Sequence, residues 1–131
     1  MLIGIGIDIV DNERMRRNMK NMRFLKRVFT AGELSYFRAK ANAYQSVAAS
    51  FAAKEAFFKA LGTGILSAGL AVRDIGIARE KGGRPYIEAS ERVLKYIKRT
   101  FGASSVRIHI SIAHEKAYSV AVAVIESATR R

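Results

Sequence analysis

Leu2-Ile3-Gly4-Ile5-Gly6-Ile7-Asp8-Ile9-Val10 repeats with a period of two, the pattern of a β-strand. Ile3, Ile5, Ile7 and Ile9 share one face, and Gly4, Gly6 and Asp8 share the other. The isoleucine face is expected to be buried. The glycines leave room above the backbone on the opposite face, and a carboxylate follows them. Aspartate is depleted in strands, so Asp8 is the first candidate for holding a metal or a phosphate group. On local grounds it also reads as a strand-end aspartate facing solvent.

Beyond this strand, residues Asn12 to Phe29 are basic and helix-prone, with Met15, Met19, Met22 and Phe24 interleaved among the cations. Thr30-Ala31-Gly32-Glu33 is a capping box that starts a helix running to about Lys40. Tyr44 to Leu61, rich in alanine and phenylalanine, is the strongest helix, and Gly62-Thr63-Gly64 stops it. Val72 to Arg79 reads as a strand, Lys81 to Pro85 as a turn, and Tyr86 and Ile87 as a short strand. Ser90 caps a helix over Glu91 to Phe101. Val106 to Ile112 and Lys116 to Glu126 alternate again and form a hairpin through the turn at Ala113-His114-Glu115. The order is strand, helices, strands, helix, hairpin. It predicts an α+β domain with an antiparallel-rich sheet rather than a wound βαβ fold.

At 131 residues with half of them hydrophobic, the chain is expected to form one domain over 1–131 with a real core. It has no cysteine, which excludes disulfides and thiolate metal sites and suits a cytoplasmic setting. No apolar run approaches the ~18 residues of a membrane span. The N-terminal segment lacks the basic flank of a signal peptide, and Asp8 interrupts it. The net charge of +12 attracts polyanions: nucleic acid, an anionic membrane surface, phosphorylated small molecules or an acidic protein. No nucleic-acid motif is recognisable, so neither nucleic acid nor membrane is the expected partner. A basic nucleic-acid-binding module is nevertheless the alternative that charge alone supports. A non-catalytic scaffold for acidic proteins is another.

On a helical wheel Glu55 sits within roughly 60° of Tyr44, Ala48, Phe51, Ala52 and Phe58. A carboxylate amid an apolar stripe needs a partner or a metal. Lys59 lies one turn on, and an ordinary Glu–Lys pair accounts for that spacing but not for its apolar setting. Asp8 and Glu55 together, with phosphate oxygens and waters, suit magnesium, which prefers hard oxygen ligands. The Gly62-Thr63-Gly64 segment reads either as a simple helix stop or as backbone open to phosphate; it is not a Walker loop. His109 lies on a strand face with Arg107 and Ser111. His114 lies in the hairpin turn, where a histidine is usually just exposed. The basic stretch from Arg14 to Arg27 is either a solvated helix face or, given its methionines, a docking surface for an acidic helix.

The segments Gly4-Ile5-Gly6-Ile7-Asp8-Ile9-Val10, Phe51-Ala52-Ala53-Lys54-Glu55-Ala56-Phe57, Lys59-Ala60-Leu61-Gly62-Thr63-Gly64, Gly83-Arg84-Pro85-Tyr86-Ile87 and Ser111-Ile112-Ala113-His114 occur in an order that resembles the holo-acyl-carrier-protein synthase family, the small 4'-phosphopantetheinyl transferases. Ser50 stands where that family commonly has an arginine. The resemblance implies transfer of 4'-phosphopantetheine from coenzyme A to a serine of an apo acyl carrier protein, in support of fatty acid biosynthesis. It implies that Asp8 and Glu55 hold Mg2+ and that Glu55 and Lys59 are catalytic. Lys59, Gly62, Gly64, Arg84, Pro85 and His114 would contact coenzyme A. Arg14, Arg23 and Phe24 would belong to the carrier-docking surface. It also implies a homotrimer with sites between subunits.

Overall fold

The computed structural model describes residues 1–63 and 68–128. The elements run β1 Leu2–Asp11, α1 Asn12–Asn18, α2 Met22–Val28, α3 Ala31–Arg38, α4 Ala43–Ala60, β2 Ile75–Arg79, β3 Pro85–Ala89, α5 Glu91–Phe101, β4 Val106–His114 and β5 Tyr118–Ser127. Among the described residues, β1, β5 and β4 form one antiparallel sheet in that order, and β2 and β3 form a separate hairpin. The architecture is α+β, as the pattern predicts.

Local signals explain most boundaries. Thr30 Oγ1 accepts from the Glu33 amide at 3.2 Å and Glu33 Oε1 accepts from the Thr30 amide at 2.9 Å, so the capping box that opens α3 is made in both directions. Ser90 caps α5 through the Val93 amide. Gly62, at φ +70°, follows the last turn of α4, a left-handed position that glycine fills without a Cβ penalty. The basic segment is not one helix. Asn21 accepts from the Phe24 amide at 3.2 Å and starts α2 anew; this side-chain alternative to the helical ladder is why asparagine favours caps over helix interiors.

Ile3, at the register shift near the start of β1, is half-buried against the core, but from Ile5 onward the sense of β1 is the reverse of the expectation. Ile5, Ile7 and Ile9 are 64%, 60% and 64% exposed, while Gly6 is buried and Gly4 half-buried. Helix α4, lined with buried Ala52, Ala53, Ala56 and Ala60, lies directly on the glycine face. A Cβ on Gly4 would stand 1.8 Å from the Ala60 carbonyl oxygen, and one on Gly6 would stand 2.0 Å from that of Ala56. Two strand residues span about 6.6 Å and four helix residues about 6 Å, so each glycine meets one alanine turn. Ile5, Ile7 and Ile9 are left on the outer face. There they pair across the ladder with Val124, Val122 and Val120 of β5, an apolar surface that this chain alone does not cover.

The rest of the core packs α4 and α5 against the inner sheet face, with Phe57, Ile75, Val93, Ile97 and Ile125 at or below 1% exposure. Asn12, fully buried, closes the end of β1. Its Nδ2 donates to the carbonyls of Glu115 at 2.8 Å and Lys116 at 3.2 Å, and its Oδ1 accepts from Ser119 Oγ at 2.7 Å. The β4–β5 turn is thereby pinned to the start of α1. It falls two positions later than the spacing predicts, with His114 the last residue of β4 and Tyr118 the first of β5.

Candidate active site

The glycine–alanine stacking that seats α4 on β1 also builds the site. Continued by one step, it carries Asp8 to the helical turns holding Phe51 and Glu55, and all three line one cavity of about 550 Å³. Arg14 of α1 and Phe24 of α2 line the same cavity. Phe24 reaches it by packing on Phe51, ring centroids 6.1 Å apart. Lys59 stands beside it, donating from Nζ to Asp8 Oδ1 at 3.0 Å and to the Ile7 carbonyl at 3.1 Å.

The electrostatics are those of two carboxylates sharing one cation. The Asp8 side chain is largely shielded and the Lys59 side chain is more than half exposed. Burial pushes the Glu55 carboxyl above its ordinary value, the Asp8 charge pushes it further, and Lys59 pulls it partly back. A second cation between Asp8 and Glu55 would relieve that repulsion. The donor set is hard oxygen. Among the described residues no cluster of three or more His, Asp or Glu side chains could hold a metal unaided. The pair therefore fits a hydrated magnesium ion whose remaining ligands come from water and substrate, and it does not fit a closed protein cage.

Other expected site residues lie elsewhere. Pro85 and His114 line a second cavity of about 400 Å³, together with Lys40, Gln45 and Arg79. Arg84 is exposed in the β2–β3 turn beside it. Arg23 is exposed on α2 and does not line the Asp8–Glu55 cavity, although its neighbour Phe24 does. Gly62 follows the Leu61 cap of α4, and Gly64 falls outside the described residues. His109 is on the outer sheet face, paired with Glu126 Oε1 at 3.0 Å. One chain thus joins Asp8, Glu55, Lys59, Arg14 and Phe24 and leaves Arg84, Pro85 and His114 apart. Tyr118 was not foreseen. It lines the first cavity because β1 and β5 pair Asp11 with Tyr118, a register that no local pattern encodes.

Among the described residues no helix is long and apolar enough to cross a membrane. Comparison with known proteins agrees with the geometry. Residues 4–123 match the model of the 4'-phosphopantetheinyl transferase superfamily. The chain is 44% identical to the holo-[acyl-carrier-protein] synthase of Treponema denticola over 127 residues, covering 96% of this chain and 99% of that one. Among solved structures, that of the Neisseria meningitidis holo-[acyl-carrier-protein] synthase superposes with a TM-score of 0.84 at 36% identity, covering 96% and 99% of the two chains. The Bacillus anthracis holo-(acyl-carrier-protein) synthase, solved in complex with CoA (3',5'-ADP), superposes with a TM-score of 0.80 at 32% identity, covering 98% and 99%.

Proposed function

This chain belongs to the 4'-phosphopantetheinyl transferase superfamily, and from that premise we propose that it is a holo-[acyl-carrier-protein] synthase, transferring 4'-phosphopantetheine from coenzyme A to a serine of an apo acyl carrier protein and releasing 3',5'-ADP. The observation that carries this is the convergence of Asp8, Glu55 and Lys59 beside a cavity whose rim holds Arg14 and Phe24. We read residues 1–131 as one catalytic domain, working in the cytoplasm in support of fatty acid biosynthesis.

Asp8 and Glu55 are the residues that would hold magnesium. When bound, the ion would neutralise pyrophosphate charge and favour attack on the β-phosphorus. Lys59, now held by Asp8 Oδ1, exchanges that partner for a pyrophosphate oxygen and stabilises charge developing there. The carrier serine hydroxyl attacks in line, and Glu55, or a water it holds, accepts the proton. Gly62 and Gly64 are the glycines that would contact coenzyme A. Arg84, Pro85 and His114 serve its nucleotide end.

Arg14, Arg23 and Phe24 form the docking surface for an acidic carrier helix. Arg14→Ala is expected to raise KM for the carrier roughly tenfold, as loss of a charged hydrogen bond of ~1.5 kcal/mol allows, with KM for coenzyme A little changed. Equal effects on both substrates, measured by steady-state kinetics, would count against docking.

The enzyme acts as a homotrimer in this reading. Two features support assembly: the open apolar sheet face of Ile5, Ile7 and Ile9, since large exposed apolar patches mark interaction sites, and the separation of the two cavities, which a neighbouring subunit could bridge. Ile7→Lys places a charge at the centre of that face. It is expected to yield monomers by light scattering coupled to gel filtration, with transfer lost. A variant that elutes and scatters like the wild type would refute this interface.

The reaction itself is tested by mixing the protein with apo carrier, coenzyme A and magnesium and weighing the carrier. A mass gain equal to phosphopantetheine, abolished by a chelator, is expected. No gain with several apo carriers would overturn the reading.

A further inference from the structure

Lys54, the residue before Glu55, has no role in the chemistry above, yet its side chain is entirely buried. Its Nζ donates to the Val28 carbonyl at 2.8 Å and to Glu33 Oε1, and stands 5.0 Å from the centroid of the Phe29 ring. Glu33, 4% exposed, accepts from three sides. Oε1 takes the Lys54 ammonium and the Thr30 amide, and Oε2 takes the Ile77 amide at 3.2 Å. The end of α2, the start of α3 and strand β2 therefore meet at one ion pair on α4. No buried side-chain nitrogen or oxygen among the described residues lacks a partner, so neither charge of this pair is orphaned.

A buried ion pair is a poor source of stability. Well-packed apolar residues of similar volume often serve as well or better, whereas a charge pair demands one geometry. What this geometry fixes is α2. The helix is attached to α4 at both ends: near its start by Phe24 on Phe51, and at its end by the Val28 carbonyl on Lys54. These contacts lie at positions 51 and 54, immediately before Glu55. Helix α2, which carries Arg23 and Phe24 near its start, is thus referenced to the same turn of α4 that presents the carboxylate.

We propose that Lys54 and Glu33 form a positioning pair that holds α2, with its docking residues, in register with Glu55, so that a carrier seated on α2 delivers its serine to the reacting phosphorus. This rests on the transferase reading of the site. The pair touches neither substrate and acts through the placement of α2.

The test is the charge-free variant Lys54→Met/Glu33→Gln, which keeps side-chain volume and one of the two oxygens that serve the Thr30 and Ile77 amides. It is expected to remain folded by circular dichroism and to keep the wild-type magnesium-induced rise in melting temperature, since Asp8 and Glu55 are untouched. KM for coenzyme A should be unchanged. The kcat/KM for the carrier should fall about 100-fold, the loss that ~1 Å of misplacement at a distance can cause. A folded variant with wild-type carrier kinetics overturns the proposal. So does a variant that no longer folds, or one in which both substrates and the metal response weaken together, because the pair would then serve stability alone. An inactive wild-type protein would instead refute the transferase reading itself.

Discussion

Glu55→Gln is expected to abolish carrier loading and, at the same time, to make the metal-free protein melt higher at neutral pH. The activity loss follows from removing the proposed metal ligand and proton acceptor. Metal polarisation is worth several kcal/mol, and each ~1.4 kcal/mol is tenfold in rate, so turnover should fall by at least about 100-fold. The stability gain follows from the Glu55 carboxyl, pushed up first by burial and then by Asp8. A raised value means that the folded chain holds this proton more tightly than the unfolded chain. The resulting stabilisation is complete below the unfolded value, about 4.3, and is lost as pH rises through the folded value. Above it the ionised Glu55 opposes folding, and a neutral glutamine does not. The melting advantage of the variant should therefore shrink as pH falls toward about 4. Magnesium should raise the melting temperature of the wild type, as any ligand of the folded state does, and should leave the variant unmoved. A Glu55→Gln enzyme with turnover near wild type, or with an undiminished magnesium response, would refute this role.

Gly6→Ala should be among the most damaging single-methyl changes available to this chain. The added Cβ would lie 2.0 Å from the Ala56 carbonyl oxygen and 2.7 Å from the Ala60 nitrogen. Both obstacles are backbone, so no side-chain rotation relieves them and α4 must move off β1. Overpacking costs about 1–3 kcal/mol, sometimes more, and a backbone clash belongs at the upper end. At about 3–5 °C per kcal/mol for this chain length, the melting temperature should drop by about 10 °C or more. Transfer should fall further than stability explains, because moving α4 separates Glu55 and Lys59 from Asp8. Gly82→Ala is the control: its Cβ meets nothing within 4 Å, so thermal melts should show little change. A Gly6→Ala protein that melts within a degree or two of wild type would contradict the close packing of strand and helix.

The helices were legible because their signals are local. Thr30 and Glu33 are three residues apart, Ser90 directly precedes α5, and Gly62 follows the Leu61 cap of α4; each acts through hydrogen bonds or backbone angles within one turn. The β4–β5 hairpin was legible from alternation flanking a short turn. The break between α1 and α2 was harder, since apolar and basic residues run straight across it, and only the Asn21 cap marks it. Asp8, Glu55 and Lys59 stood out as carboxylates and a lysine in apolar settings. Lys54 did not, because nothing near it in sequence indicates that Glu33 lies at its tip.

By itself the sequence determined the α+β class, the caps, and the pairing of Asp8 with Glu55 and Lys59 as a site to test, since each depends on neighbours within a turn or on a charge where apolar residues belong. Only the tertiary structure decided which face of β1 is buried. A period of two distinguishes two faces without saying which one a helix will cover. Hydrophobicity favours the isoleucines, but the alanine face of α4 approaches so closely that only Gly4 and Gly6 can lie beneath it. That steric choice brings Asp8 beside Glu55 and leaves Ile5, Ile7 and Ile9 uncovered on the outer face.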